Sequence, residues 1–444
     1  MGPTTRSKRR TLFETAREGD HKLMRLLLKT RGNSINDVDD NGRTILYLAA
    51  ENGHHKMVKL LLEMEEINVN KSDIHSQSPF YKAAAKGHDQ VVKLLLERKD
   101  IHVDQPDAYG ASPLWLAAGK GHDNVVKLLL QREEIQVNLK PDDGGQTSLW
   151  MAALTGNDKV VKLLLDRQDI DVNQADKDGV SPLHMAAGKG YNKVMSQLLE
   201  REDIQVNHQD NNGTTPLWVA AAKGNENAVK LLLGRKDIQV NQATEDGGQT
   251  ILYMAVLLGK DKVVQLLLER GDIDVNQADK DGVAPLQVAA GIGHDNIVRL
   301  LLERPDIKIN QANKFGFTAL YMAANDGNIR SVELLVGHKD INLSKGCKNG
   351  FTPLDIALRR KDLNGEGQFD EVASLLKERI RKPTNEVPAC IVCMDRRPEV
   401  VLVPCGHQNV CGPCAYQWGY QCPVDRIRIS EILPLAENSL GTNN

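Results

Sequence analysis

Glycine recurs in this chain at Gly19, Gly53, Gly87, Gly121, Gly156, Gly190, Gly224, Gly259, Gly293 and Gly327, always 34 or 35 residues apart. A second column runs through Gly42, Gly110, Gly145, Gly179, Gly213, Gly248, Gly282, Gly316 and Gly350, with Ser76 in the one empty place. A fixed period of this length rules out one large globular core. It requires a short unit, copied and stacked, that buries its apolar face only against its neighbours.

Within the unit each slot has a physical reason. Thr44, Ser78, Ser112, Thr215 and Thr352 can cap a helix, and Pro79, Pro113, Pro216 and Pro353 fit its first turn, where no amide hydrogen bond is lost. Alanine pairs such as Ala83-Ala84 and Ala186-Ala187 leave room for a neighbouring backbone, and Gly87 or Gly121 can then end the helix in the left-handed conformation. Runs such as Val91-Val92-Lys93-Leu94-Leu95-Leu96 predict a second helix with an apolar stripe and a solvated lysine. The polar, turn-rich remainder, for example Asp169 to Gly179, suits a hairpin or extended loop.

The run Thr215-Pro216-Leu217-Trp218 followed by Ala220-Ala221 resembles the ankyrin repeat, whose Thr-Pro-Leu-His pattern recurs at about 33 residues. The resemblance covers residues 11–380 and implies a mainly α solenoid of about eleven units, each a helix-turn-helix plus a hairpin loop. Its last unit departs: Thr352 to Gly367 spans fifteen residues where Thr44 to Gly53 spans nine, so six residues are inserted before the final helix. The histidine slot of the motif also varies, holding Tyr47, Tyr81, Trp115, Trp150, His184, Trp218, Tyr253, Gln287, Tyr321 and Asp355. A structural role is the reading for this column, because it lies at the packed start of the first helix.

In ankyrin-like arrays the hairpin tips and the exposed side of the first helices form the recognition face. Here the tips are mostly Asp, Asn, Gln and Gly, with aromatic exceptions at Tyr109, Phe315, Phe317 and Phe351. Exposed aromatics make good interface anchors, so these four are candidate substrate-binding residues; the other reading is that the phenylalanines pack on each other or on the insertion.

Six of the seven cysteines lie between Cys390 and Cys422. The pairs Cys390-x-x-Cys393, Cys405-x-His407, Cys411-x-x-Cys414 and Cys422-x-x-Asp425 supply eight candidate ligands, which at four each make two tetrahedral Zn²⁺ sites. Every place is then taken by protein, so the two ions are structural and open no position for substrate or water. Asp425 stands where an eighth cysteine is expected; its carboxylate can ligate zinc, or the second site has three ligands. Cys347 is a lone thiol in a loop.

The ligand order is that of a RING finger, and Cys390-Ile391-Val392-Cys393 with Pro404-Cys405-Gly406-His407 resembles the RING fingers of mind bomb and inhibitor-of-apoptosis ligases. Aspartate at the last position is similar to the RING-box subunits of cullin ligases. The resemblance implies interleaved sites, with Cys390, Cys393, Cys411 and Cys414 on one ion and Cys405, His407, Cys422 and Asp425 on the other. It also implies a shallow groove for a ubiquitin-conjugating enzyme charged with ubiquitin, formed by Ile391, Trp418 and Pro423. Arg426 matches the cation that bridges that enzyme and ubiquitin. The expected function is therefore a RING-type ubiquitin ligase whose array binds a protein substrate; the alternative is a non-catalytic scaffold or adaptor.

Net charge is −3, from 56 basic and 59 acidic residues, which predicts no broad grip on nucleic acid. No apolar run approaches the ~18 residues of a membrane span. With thiols gathered as metal ligands, an intracellular, cytoplasmic protein is expected. Residues 1–10, with Arg6-Ser7-Lys8-Arg9-Arg10, read as a disordered basic terminus, with nuclear import as the other reading. Residues 381–389 read as a linker, 390–426 as the zinc module and 427–444 as a tail.

Overall fold

The computed structural model describes residues 3–29, 35–141, 144–364, 367–381, 400–403 and 431–434, of which 3–10, 364, 400–403 and 431–434 are described by their backbone alone. Among these are twenty-two helices, in eleven consecutive pairs from Pro3–Glu18 with His21–Leu28 to Pro353–Asn364 with Gln368–Arg381, and two strands. Contacts divide the chain into two compact units, Met1–Ala220 with Asn227–Ile238, and Ala221–Glu226 with Gln239–Asn444.

The repeat that starts at Ser78 shows how the sequence builds one copy. Ser78 Oγ accepts from the Tyr81 amide at 3.1 Å, Pro79 takes the first turn, and the helix Pro79–Lys86 ends at Gly87, which has φ +76°. Glycine is needed there twice over, since a Cβ would also lie 2.6 Å from the His122 ring of the following repeat. The second helix, Asp89–Leu96, buries Val91, Val92 and Leu95 and leaves Lys93 exposed. Truncating a fully buried leucine such as Leu95 to alanine costs about 2–5 kcal/mol in sites of this kind.

In the first compact unit the first helices stack in series from Ile45–Glu51 to Pro182–Lys189, and the second helices from His21–Leu28 to Asn192–Leu199. The second compact unit repeats the pattern from Ile251–Leu257 to Pro353–Asn364 and from Asp261–Leu268 to Gln368–Arg381. Polar ladders run alongside the apolar core. Asn70 Nδ2 donates to the Asp100 carbonyl at 2.6 Å while its Oδ1 accepts from the His102 amide at 2.9 Å. The same pair of bonds recurs from Asn138, Asn173, Asn241, Asn276 and Asn310. Along the second helices, Arg132, Arg167, Arg201, Arg235 and Arg304 each donate to the last carbonyls of the preceding second helix. Each repeat thus satisfies backbone groups its neighbour cannot satisfy alone.

Two differences from the sequence reading stand out at the ends. The helix Pro3–Glu18 reaches back through the basic cluster, so the backbone from Pro3 is helical where a disordered terminus was expected. Arginine and lysine are good helix formers, and Arg6, Lys8, Arg9 and Arg10 prolong a helix already anchored by buried Leu12, Phe13 and Ala16. At the other end the insertion lengthens the last first-helix to twelve residues, Pro353–Asn364, against eight in Pro79–Lys86. Gly367 has φ +148° and does not close that helix in the left-handed manner of the column.

The strands β1, Val400–Val403, and β2, Glu431–Pro434, pair antiparallel in the register Val400 with Pro434 through Val403 with Glu431. Residues 431–434, expected within the tail, therefore pair back onto the segment that precedes Cys405. No helix among the described residues is long and apolar enough to cross a membrane.

Candidate functional site

Several residues of the variable column are struts between repeats, while Trp218 Nε1 is buried without a hydrogen-bond partner among the described residues. Tyr47 Oη donates to Asp73 Oδ2 at 2.7 Å and Tyr81 Oη to Asp107 Oδ2 at 2.6 Å, each reaching the hairpin of the next repeat. Trp115 Nε1 donates to the Gln146 carbonyl and Trp150 Nε1 to the Val180 carbonyl, both at 2.9 Å, and Gln287 Nε2 donates to the Phe317 carbonyl. Burial and the neighbouring carboxylates hold the Tyr47 and Tyr81 hydroxyls well above the ordinary phenol range, so they remain donors.

His184 uses both ring nitrogens in this way. Its Nε2 donates to the Thr214 carbonyl at 3.0 Å and its Nδ1 accepts from the Ser181 amide at 3.2 Å, with Ser181 Oγ 2.7 Å away. Burial pushes its pKa down, which keeps the ring neutral. With both nitrogens engaged, it is a structural histidine. Asp355, at the end of the column, turns back on its own cap and accepts from the Thr352 amide at 2.8 Å and Thr352 Oγ1 at 2.7 Å.

The hairpin tips carry the exposed candidates. In the tip that starts at Asp279, Oδ1 accepts from the Asp281 amide at 2.9 Å and the Val283 amide at 2.8 Å, closing the turn. Asn313 does the same with its amide oxygen for Phe315 and Phe317, both at 3.0 Å. Neighbouring tips are joined through backbone, with the Lys314 amide on the Asp281 carbonyl and the Lys348 amide on the Phe315 carbonyl, each at 3.0 Å.

The phenylalanines are partly packed on their neighbours and partly exposed. Phe317 is half-buried, stacked on Tyr321 with centroids 4.6 Å apart and on Phe315 at 5.8 Å. Phe315 stays 57% exposed and Phe351 37% exposed. The Arg359 guanidinium, on the lengthened helix, lies 5.6 Å from the Phe351 ring centroid. Beneath it an open depression of about 540 Å³ is lined by Phe351, Asp355, Leu358, Arg359 and Asp362. Tyr109, 69% exposed, belongs to the first compact unit, while the phenylalanines belong to the second. Sequence reading missed Lys314, Lys348 and Arg359 as neighbours of this patch; the charge of the aligned tips was the signal for the two lysines, and none marks Arg359.

Cys347, the thiol outside the cluster, is buried in the last hairpin, where its amide donates to the Phe351 carbonyl at 2.9 Å. Among the described residues no three His, Cys, Asp or Glu side chains gather as a metal site. The candidate ligands Cys390, Cys393, Cys405, His407, Cys411, Cys414, Cys422 and Asp425 lie outside the described residues, as do Ile391, Trp418, Pro423 and Arg426. What the backbone does show is that β1 and β2 bring together the two ends of the segment 404–430, which contains Cys405 through Arg426.

Comparison with protein families gives two matches. A model of ankyrin repeats in three copies matches residues 12–107, 99–176, 168–244, 239–313 and 305–386. A model of the C3HC4-type zinc finger, the RING finger, matches residues 386–432, a span that ends inside β2.

Proposed function

Because this chain belongs to the ankyrin-repeat family and ends in a RING-type zinc finger, we propose that it is a ubiquitin-protein ligase whose array holds a protein substrate. The observation that carries the reading is the C3HC4 match at residues 386–432, directly behind an array matched without a break from residue 12. Ankyrin repeats bind protein partners, and a RING finger takes a ubiquitin-conjugating enzyme as partner.

The donor set suits zinc: six thiolates, one imidazole and one carboxylate are the ligand types Zn²⁺ prefers, and a module this short cannot bury a sufficient core without it. Cys390, Cys393, Cys405, His407, Cys411, Cys414, Cys422 and Asp425 would hold two ions. Zinc, when bound, cross-links the module and contributes on the order of 10 kcal/mol to its folding. Ile391, Trp418 and Pro423 would seat the charged conjugating enzyme, and Arg426 would donate to carbonyl acceptors on that enzyme and on ubiquitin, holding the thioester in a reactive orientation. The amine of a substrate lysine then attacks the thioester carbonyl, an isopeptide bond forms, and the thiolate of the conjugating enzyme leaves. The ligase contributes orientation and no nucleophile. An intracellular site of action is part of the proposal.

Purified protein mixed with activating enzyme, charged conjugating enzymes and ubiquitin tests this. Wild-type protein is expected to discharge the thioester and modify itself, with Ile391→Ala and Arg426→Ala each slowing discharge by at least about tenfold, roughly 1.4 kcal/mol of barrier. Asp425 in place of the last cysteine favours a second reading, a scaffold with an incomplete zinc site. Fewer than two zinc ions per chain together with no discharge from any conjugating enzyme would establish that reading instead.

A further inference from the structure

We propose that the last two hairpin tips form a docking site for an extended acidic peptide segment carrying an apolar anchor side chain. The proposal rests on the array being the substrate-binding part and names the chemical class of that substrate.

The charge of the tips changes sign along the second compact unit. Its first two tips carry Glu245 with Asp246, and Asp279 with Asp281 around Lys280, so each is net negative. The next two read Asn313-Lys314-Phe315-Gly316 and Cys347-Lys348-Asn349-Gly350-Phe351, with no carboxylate between them. Turn geometry does not explain the loss, because Asn313 closes its loop with the same two amide bonds that Asp279 makes. The carboxylate is dispensable to the fold here, and these two tips dispense with it where the phenylalanines stand.

Lys314 and Lys348 are exposed beside exposed Phe315, and Arg359 lies over Phe351. The opposing carboxylates are few. Asp281 approaches Lys314 only at 4.0 Å, with both side chains largely exposed, an arrangement worth little in water. Asp355 is occupied by the Thr352 cap, and Asp362 is the remaining acid of the depression. Backbone bonding between the tips fixes Lys348 beside Phe315, so cations and aromatic faces are presented on a preorganised edge. An apolar side chain of the peptide would enter the depression between Phe351 and Leu358, while its carboxylates meet Lys314, Lys348 and Arg359.

Fluorescence anisotropy with the full chain tests this. The probe is a short labelled peptide of glutamates around one central phenylalanine, compared with versions carrying alanine for the phenylalanine or lysines for the glutamates. The first probe is expected to bind, to weaken as salt rises, and to lose about tenfold or more in affinity with Lys314→Glu plus Lys348→Glu, and with Phe315→Ser plus Phe351→Ser. Lys348→Glu alone, at an exposed side chain, keeps the test should a double variant melt early; it is expected to weaken binding at least threefold. The proposal is overturned if the first probe fails to bind, if either altered probe binds as well, if polyglutamate displaces it equally, or if folded variants bind like wild type. Thioester discharge is read separately, so a chain that binds the probe without discharging ubiquitin sinks the ligase reading and leaves the docking site standing.

Discussion

Ser76 has φ +61°, and among the described residues it is the one non-glycine in the left-handed region. It fills the single gap in the hairpin glycine column, and its side chain is exposed. A Cβ in that conformation costs about 1–2 kcal/mol, partly offset by the greater chain entropy that glycine loses on folding. Ser76→Gly is therefore expected to stabilise the first compact unit by about 0.5–1 kcal/mol, read as a shifted denaturant midpoint. An unchanged or lowered midpoint would refute the strain argument. Asp104 is the second odd residue. It stands in the asparagine ladder, where Oδ2 accepts from the Gln136 amide at 3.1 Å but Oδ1 is buried with no partner. By the register of the other repeats Oδ1 takes the place of an amide that would donate to the Glu134 carbonyl. Burial raises its pKa, so the folded state holds its proton more tightly than the unfolded chain. The sign follows: stability from this group is full below the ordinary aspartate pKa and is lost as pH rises through the raised one. Asp104→Asn is expected to add about 1–3 kcal/mol at neutral pH, the cost of a buried unsatisfied acceptor. The gain should shrink as the medium is acidified, and a gain independent of pH would count against the protonation argument.

The first helix and the hairpin that follows it one repeat later act as a pair, joined by the strut column. Tyr81→Phe removes the 2.6 Å bond to Asp107 and leaves that oxygen only Gln77 Nε2, at 3.5 Å. A bond to a carboxylate of this kind contributes about 1.5–3 kcal/mol. The expected result is faster hydrogen exchange at the amides of Tyr109 and Ala111, which Asp107 Oδ1 holds, with exchange in the helix Pro79–Lys86 little changed. Equal acceleration throughout the helix would mean that the column is core packing and no strut. How far such features could be read in advance depends on where the partner lies. Caps, glycine termini and apolar stripes are satisfied within one repeat, so Ser78, Pro79, Gly87 and Val91 announce their roles locally. A strut's acceptor lies a whole repeat onward in an irregular loop, for example Tyr47 on Asp73 and His184 on Thr214, and no local pattern marks it. Arg359 was hidden for the same reason, since it reaches Phe351 from the lengthened helix, whereas Lys314 and Lys348 stand in the tips themselves. The helical basic terminus was missed because helix propensity without apolar periodicity leaves no stripe to detect.

At the scale of the whole molecule, array and zinc module draw stability from different sources. The described repeats hold together by buried apolar faces and neighbour-to-neighbour hydrogen bonds, and no metal-binding group is found among the described residues. The module of residues 390–426 has eight candidate ligands and is too short to bury a sufficient core, so its folding should be tied to Zn²⁺. Chelation is therefore expected to abolish thioester discharge while leaving the helical circular dichroism and melting of the array within a few degrees of their starting values. Metal content separates the possible ligand sets. With Asp425 as the eighth ligand, the purified chain carries two zinc ions, Asp425→Cys keeps both, and Asp425→Ala lowers retention at the second site in proportion to the lost donor. Equal zinc in wild type and Asp425→Ala would show three ligands sufficient and remove Asp425 from the set. Loss of the array's helical signal together with zinc would contradict the separation itself, because it would mean that the stack depends on a metal its own residues do not bind.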